Sequence, residues 1–264
     1  MSSAKPAVLY LARGADSNAE AKFAAFVRSY SNFPAGVEHD LFIVMKGFAS
    51  TSMLHSTKDV FKGLAPVFIE VDDNSFDIGA YRDTLKTIPH ERLCFLNTNS
   101  EICSASWLLK LCVNLDRDNV GVVSASGSFE SLSMMGRRFP AFPNVHIRSN
   151  AFLMHRNHFL AVVSKAKLSA KLDAWLLESG DSSFTRYVFS LGLDALIVGR
   201  NGRGYSSAWW TASDTFRQGE QSNLLVSDNV TRSFDDMTWS DKADACRSAW
   251  GDYINNPGNI VVAG

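Results

Sequence analysis

The sequence predicts an α/β protein built on a mostly parallel, twisted sheet flanked by helices, organised as a single domain with a C-terminal extension. Three observations predict it. Short apolar runs of β type alternate with stretches of helical periodicity through the first half, the order in which parallel strands return through crossover helices. Polar residues gather just after several of these runs, on the side where parallel strands receive ligands. The 264 residues, 46% hydrophobic and 20% charged, suffice for one sizeable core without disulfides.

Strands are expected at 7–12 (AVLYLA), 40–46 (DLFIVMK), 66–71 (PVFIEV), 92–97 (RLCFLN) and 120–125 (VGVVSA). Helices are expected between them, at 18–30, 52–64, 76–88 and 104–115. In the last of these Trp107, Leu108, Leu111 and Leu115 share one face, as in a helix buried on a sheet. Beyond residue 126 the rhythm changes. Gly127 to Asn144 reads as a loop containing Gly136, Arg137, Arg138, Pro140 and Pro143, and a connection of that length usually serves as a lid or binding loop. A strand at 146–155 (HIRSNAFLMH), helices at 157–167 and 171–191, and a strand at 194–200 follow. GRNGRG (199–204) reads as a turn. From Asn201 onward there is little periodicity, and no repeat or linker is visible.

Charge and motifs narrow the function. With 26 Lys+Arg against 27 Asp+Glu, no net field draws the chain to nucleic acid or to an anionic membrane, although a local basic patch stays open. No nucleic-acid partner is expected. Cys94, Cys103, Cys112 and Cys246 form no CxxC pair and no zinc spacing, and read as free thiols in a reducing compartment. The apolar stretch Ala7 to Ala12 is too short for a signal-peptide core, and no run approaches the roughly 20 residues of a membrane helix. A soluble, cytoplasmic protein is expected. GxxxxGK[ST], GxSxG and HExxH are missing, and no GxGxxG follows the first strand, which removes the main support for hydrolase and zinc-protease readings.

Three polar clusters remain. In EVDDNSFDIGAYRDTL (70–85), Asp72, Asp73 and Asn74 follow a strand and Asp77 opens a helix. LCFLNTNSE (93–101) ends an apolar strand in Asn97, Thr98, Asn99 and Glu101. ESGDSSFTR (178–186) sets Glu178 and Asp181 ahead of a helix beginning near Ser182. Taken singly, Asp77 and Asp181 read equally as helix N-caps, and Asn97 to Asn99 as a plain turn.

Taken in order, the clusters resemble nucleotide-sugar glycosyltransferases of the GT-A fold, a Rossmann-like architecture, and in particular bacterial family 2-like enzymes of surface-polysaccharide synthesis. CFLNTNSEICSASWLLKL takes the place of the family's Asp-x-Asp motif. FDIGAYRDTL takes that of the preceding nucleotide-contacting segment, and NVHIRSNAFLMHR that of the acceptor-side strand. The resemblance spans about residues 6–205. It implies a GT-A core over 1–205, with a nucleotide-binding half to about 125 and an acceptor half over 126–205, and an extension over 206–264 packed on that core. It implies a nucleotide-sugar donor, a glycan acceptor, and peripheral membrane association through a lipid-linked acceptor. Asp77 would contact the nucleotide. For the carboxylate base of an inverting enzyme, Asp181 matches by position, with Glu178 almost as good. His146, Arg148 and Asn150 would line the acceptor side, although His146 and Arg148 also alternate as the exposed face of any strand would.

The departures from the family pattern matter chemically. The motif acids stand here as Asn97 and Asn99, and hard divalent cations prefer charged oxygen ligands. Glu101 is left as a weak metal ligand, so dependence on Mg²⁺ or Mn²⁺ is expected to be weak or absent. Arg13, Lys46 and Arg82, at strand or helix ends, would then hold the phosphates, unless they are ordinary solvated cations. A nucleoside-monophosphate donor would also suit a motif without acids. Trp209 and Trp210, near Asp214, Arg217, Asp228, Asn229, Thr231 and Arg232, suit sugar recognition, or else fill core space. The leading expectation is a glycosyltransferase. Its rivals are a non-catalytic nucleotide-sugar or carbohydrate-binding protein of the same fold, suggested by the loss of both motif acids, and a partner within a larger assembly.

Overall fold

The computed structural model describes residues 5–258. Its elements in chain order are β1 (Ala7–Arg13), α1 (Ala19–Asn32), β2 (Asp40–Lys46), α2 (Thr51–Phe61), β3 (Val67–Glu70), α3 (Asp77–Thr84), β4 (Arg92–Leu96), β5 (Glu101–Ile102), α4 (Trp107–Leu115) and β6 (Val120–Ser124). Then come β7 (Gly127–Ser128), β8 (His146–Ile147), β9 (Ala151–His155), α5 (Arg156–Val163), α6 (Lys171–Ser179), α7 (Phe184–Ser190), β10 (Asp194–Val198), β11 (Gly204–Tyr205), β12 (Val226–Ser227), α8 (Asn229–Asp235) and α9 (Trp239–Trp250).

The main sheet has eight strands in the order β11-β10-β6-β9-β4-β1-β2-β3. Strands β3, β2, β1 and β4 run parallel, as do β6 and β10. Between the two groups lies β9, antiparallel to both neighbours. Alternation along β1 explains the two-faced core: Ala7, Leu9 and Leu11 enter one apolar cluster, and Val8, Tyr10 and Ala12 the other. Successive strand residues point to opposite faces, and a central strand covered by helices on both must be apolar throughout. Helix α7 lies directly on β6. A Cβ on Gly121 would stand 1.7 Å from Val188 Cγ1, so the close approach requires glycine.

The expected mostly parallel α/β sheet is present, with three local differences. The single strand expected over 146–155 is two: β8 pairs with β7 in a small ribbon, and β9 joins the main sheet. The helix expected over 171–191 breaks at Gly180, whose backbone is extended. There the Asp181 amide donates to the Arg138 carbonyl at 2.8 Å, and Ser183 starts α7 by accepting from the Arg186 amide. The third difference lies in the stretch after 201, which is ordered by caps rather than by periodicity. Asp228 accepts from the Thr231 amide to open α8, and Thr238 from the Asp241 amide to open α9.

Residues 206–258 cover the core instead of standing apart. Trp210 and Trp250 are fully buried in the same cluster as the strands, and Trp250 stacks edge-on to Phe129 at 4.9 Å between ring centres. Strand β12 adds to β5. Residues 1–4 of the expected core and 259–264 of the extension lie outside the described residues. No described helix is long and apolar enough to cross a membrane. All four cysteines are free, with Cys94 and Cys112 buried. GRNGRG forms the turn between β10 and β11.

Candidate functional site

Because β1 to β4 run parallel, their C-terminal ends open on one edge, and each delivers a polar residue there. Arg13 is the last residue of β1 and Lys46 the last of β2. Asp73 follows β3, Asp77 is the first residue of α3, and Thr98 and Asn99 follow β4. Together with Asp16, Asn74, Ser75, Phe76 and Ser169 they line a cavity of about 180 Å³.

The cations there are held by carboxylates. Lys46 is only 2% exposed; its Nζ lies 3.0 Å from Asp73 Oδ1 and donates to the Ser75 carbonyl. Arg13 donates to Asp16 at 2.9 Å and reaches Asp73 at 3.5 Å. Gly47 turns the chain beneath them with φ +66°, and a Cβ there would meet Asp73 Oδ2 at 3.0 Å, so glycine suits the position twice over. Burial works against the Asp73 carboxylate, yet Lys46 and Arg13 hold its pKa below the ordinary value. Asp77 behaves oppositely: burial in the wall pushes its pKa up against the pull of Lys46 and Arg13.

After β4 the chain makes a tight turn. Asn97 Oδ1 accepts from the Asn99 amide at 3.0 Å and from Ser100 Oγ at 3.1 Å, the side-chain turn that Asn readily makes. The Tyr10 hydroxyl donates to the Thr98 carbonyl at 2.8 Å. The Asn99 carbonyl accepts from Arg232 Nη1 and Nη2 at 3.2 and 3.1 Å, and Glu101 is paired with the same guanidinium at 2.9 Å. These residues do not fit a Mg²⁺ or Mn²⁺ ion. One amide oxygen is committed to the turn, the other amide is neutral, and the single carboxylate is already neutralised by an arginine that would repel a cation. Among the described residues no group of three or more His, Cys, Asp or Glu is arranged to hold a metal ion.

The residues expected on the acceptor side form a buried network behind the turn. Asn150 accepts at its carbonyl from the Asn97 amide (3.0 Å) and Ser100 Oγ (2.9 Å). Its Oδ1 accepts from Ser126 Oγ at 2.9 Å, while its buried Nδ2 has no partner among the described residues. Arg148 pairs with Asp228 at 2.8 Å and lies over the Phe216 ring at 4.2 Å. Burial opposes ionisation of Asp228, but Arg148 and the Thr231 amide keep its pKa low. His146 Nδ1 bonds the Asn144 carbonyl at 2.7 Å. Burial depresses its pKa although Glu178 pulls the other way. Glu178 Oε2 accepts from the Ser149 amide at 2.8 Å and from the Ser149 hydroxyl, which ties it to this network.

Several residues expected at the site lie elsewhere. Asp181 is half exposed, pairs with Arg138 at 3.1 Å, and lines a separate cavity of about 730 Å³ with Pro140, Val145, Arg186 and Tyr187. The break at Gly180 turns it away from Glu178. Arg82 lines a neighbouring cleft of about 240 Å³ that shares Asn74, Ser75 and Ser169 with the strand-end cavity, and donates to the Ala166 carbonyl. Trp210 is fully buried and donates to the Tyr205 carbonyl at 2.9 Å, so it is a core residue and not a sugar platform. Trp209 is exposed but lies beside Val120 and Asp194, the first residues of β6 and β10, at the opposite edge of the sheet. Sequence reasoning missed Asp16, Ser75, Ser126 and Ser149. Of these Asp16 carried a signal, standing three residues beyond Arg13 at a strand end; the serines acquire roles only through pairings across the fold.

No protein-family model matches the sequence, and no curated protein matches it. Solved structures with a similar fold include a mannosyltransferase from Pyrobaculum calidifontis in complex with GDP-Man and Mn²⁺, at 10% identity, 73% of this chain, 54% of that chain and a TM-score of 0.49. Another is the galactosyltransferase LgtC in complex with donor and acceptor sugar analogs, at 12% identity, 72% of this chain, 73% of that chain and a TM-score of 0.46. A cytidylyltransferase from Leptospira borgpetersenii is similar to the same degree, at 12% identity, 66% and 71% coverage and a TM-score of 0.46. The chain thus spans about half the length of the mannosyltransferase, 54%.

Proposed function

We propose that the protein is a glycosyltransferase that moves a sugar from a nucleotide-sugar donor to a glycan acceptor. One observation carries this reading: four parallel strands bring Arg13, Lys46, Asp77 and Asn99 from distant parts of the sequence to one cavity at their C-terminal ends, where open α/β sheets bind nucleotides. Lys46 and Arg13 are held ready for phosphate oxygens, at present satisfied by Asp73 and Asp16. Asp77, whose pKa burial raises, suits hydrogen bonding to a base or ribose. The first 125 residues form the donor half of this proposal and 126–205 the acceptor half. A role in polysaccharide synthesis, in the cytoplasm and with a lipid-linked acceptor at the membrane surface, completes it.

For the base we favour Glu178 over Asp181. Glu178 uses one carboxylate oxygen on Ser149, beside Asn150 and the Asn97 turn, and keeps the other for an acceptor hydroxyl; Asp181 is committed to Arg138. The neutral Asn97 and Asn99 favour a second reading, a nucleotide-sugar-binding protein without turnover.

Calorimetry and transfer assays with UDP-, GDP-, dTDP- and CMP-sugars test both. A donor that binds and is transferred, with Asp77→Ala losing donor affinity and Glu178→Gln losing kcat at unchanged donor affinity, supports the transferase. Binding without transfer to any glycan supports the second reading. Unchanged donor affinity in Asp77→Ala removes the placement of the nucleotide.

A further inference from the structure

The turn after β4 presents a charge pattern that the proposed donor would meet. Asn97 and Asn99 contribute no charge, Glu101 contributes one negative charge, and Arg232, arriving from α8, contributes one positive charge at 2.9 Å from it. A divalent ion held by two carboxylates has the same net charge of zero, so replacing both acids with amides removes the need for the ion if an arginine takes its place. Arg232 is built for that position. Its Nη1 and Nη2 both hold the Asn99 carbonyl, Nη1 also donates to Ser227 Oγ at 3.3 Å, and Asn99 itself lines the strand-end cavity. Neither Nε nor the second N–H of Nη2 bonds to a described residue, and the side chain is 37% exposed, which leaves two N–H groups for a ligand at the turn. The neighbouring arginines are committed elsewhere: Arg148 is buried against Asp228, and Arg217 holds Glu130 at 2.6 Å.

We infer that Arg232 joins Lys46 and Arg13 in receiving the donor's diphosphate, supplying from the C-terminal segment the charge stabilisation that a metal ion gives in metal-dependent glycosyl transfer. The inference rests on the glycosyltransferase reading. As the nucleoside diphosphate leaves, negative charge grows on its terminal phosphate oxygens, and a guanidinium already fixed by a carbonyl and a carboxylate stabilises it without reorganising. Glu101 is the positioning residue. It orients the guanidinium and tempers its charge.

Calorimetry with UDP, GDP, UMP and GMP, with and without EDTA, tests this on the intact chain. The wild type should bind one of the diphosphates equally with and without EDTA. Arg232→Met should weaken that diphosphate about 10- to 100-fold, the loss expected for a charge-assisted hydrogen bond, while the matching monophosphate changes far less; Arg232→Lys should recover part of the loss. A purely structural arginine predicts equal losses for mono- and diphosphate and no rescue by lysine, which lacks the planar fork. Should Arg232→Met not fold, Glu101→Gln serves instead: the amide oxygen still holds the guanidinium but no longer cancels its charge, so diphosphate binding should tighten, and unchanged or weaker binding overturns the inference. Loss of diphosphate binding in EDTA, or wild-type affinity in Arg232→Met, also overturns it while leaving the glycosyltransferase reading intact. Failure of the wild type to bind any nucleotide, nucleotide-sugars included, removes that reading and the inference with it.

Discussion

Arg148 and Asp228, 80 positions apart in sequence, form an ion pair of 2.8 Å with both side chains nearly withdrawn from solvent. The pair fastens the C-terminal segment to the loop between β8 and β9. The same carboxylate caps α8 through the Thr231 amide, so one acid orients a helix and neutralises a buried arginine.

Breaking that pair from one side should be costly. Arg148→Met leaves a buried carboxylate unpaired and is expected to cost about 3–5 kcal/mol in urea denaturation. Adding Asp228→Asn should restore part of the loss, because no charge is then stranded; strictly additive losses would contradict direct coupling. The folded pKa of Asp228 lies below the ordinary carboxylate value. Its contribution is therefore present above that ordinary value and is lost as pH falls through the folded pKa.

Asp77 is expected to be held at a cost to stability. Its folded pKa is raised, so the folded state prefers the protonated acid, and stability declines as pH rises from the ordinary value of 3.8 through the folded pKa. Asp77→Asn should raise the denaturation midpoint at neutral pH and leave it unchanged below about pH 3.8. The same variant should weaken donor binding, the pattern of a residue kept for function against stability. A variant that is destabilised at neutral pH would show that the carboxylate is structural.

His146 should impose an acid limit near its ordinary pKa. Burial lowers its folded pKa, with Glu178 and Glu130 opposing and Arg148 adding to the fall. The neutral ring is the folded form, so this contribution is full above the ordinary value of 6.5 and is lost as pH falls through the folded pKa. In His146→Asn, whose amide can still donate to the Asn144 carbonyl, the decline in denaturation midpoint below pH 6.5 should flatten. An unaltered decline would assign that limb to other groups.

The two adjacent tryptophans should separate cleanly. Trp210→Ala empties a fully buried site and should cost about 3–5 kcal/mol, whereas exposed Trp209→Ala should change stability by less than about 1 kcal/mol. Donor and acceptor kinetics of Trp209→Ala should match the wild type, since its indole lies at the far edge of the sheet. A raised KM for acceptor would restore Trp209 to a sugar-binding role.

Much of the strand-end cavity was legible because it is local. Strand runs, helix intervals and the polar residues at strand ends all lie within a few positions of one another, and a parallel sheet carries such ends to one edge. Arg13, Lys46, Asp77 and Asn99 needed no more than this. Asp181 and Glu178 could not be told apart, because an extended Gly180 and a bond from the Asp181 amide to Arg138 decide which carboxylate turns inward. Trp209 and Trp210 were likewise indistinguishable: one indole enters the core and the other leaves it within a single turn of 3-10 helix.

By itself the sequence determined the alternation of strand and helix, the two-faced core of β1, and the neutral amides Asn97 and Asn99 after β4, since these follow from side-chain period and residue identity. Only the tertiary structure decided what stands beside those amides. Arg232 reaches Asn99 across 133 positions, and Arg148 reaches Asp228 across 80, because β12 pairs with β5 and carries α8 to the turn. Charges at such separations interact only after the fold has closed the chain between them, and no local pattern records the pairing.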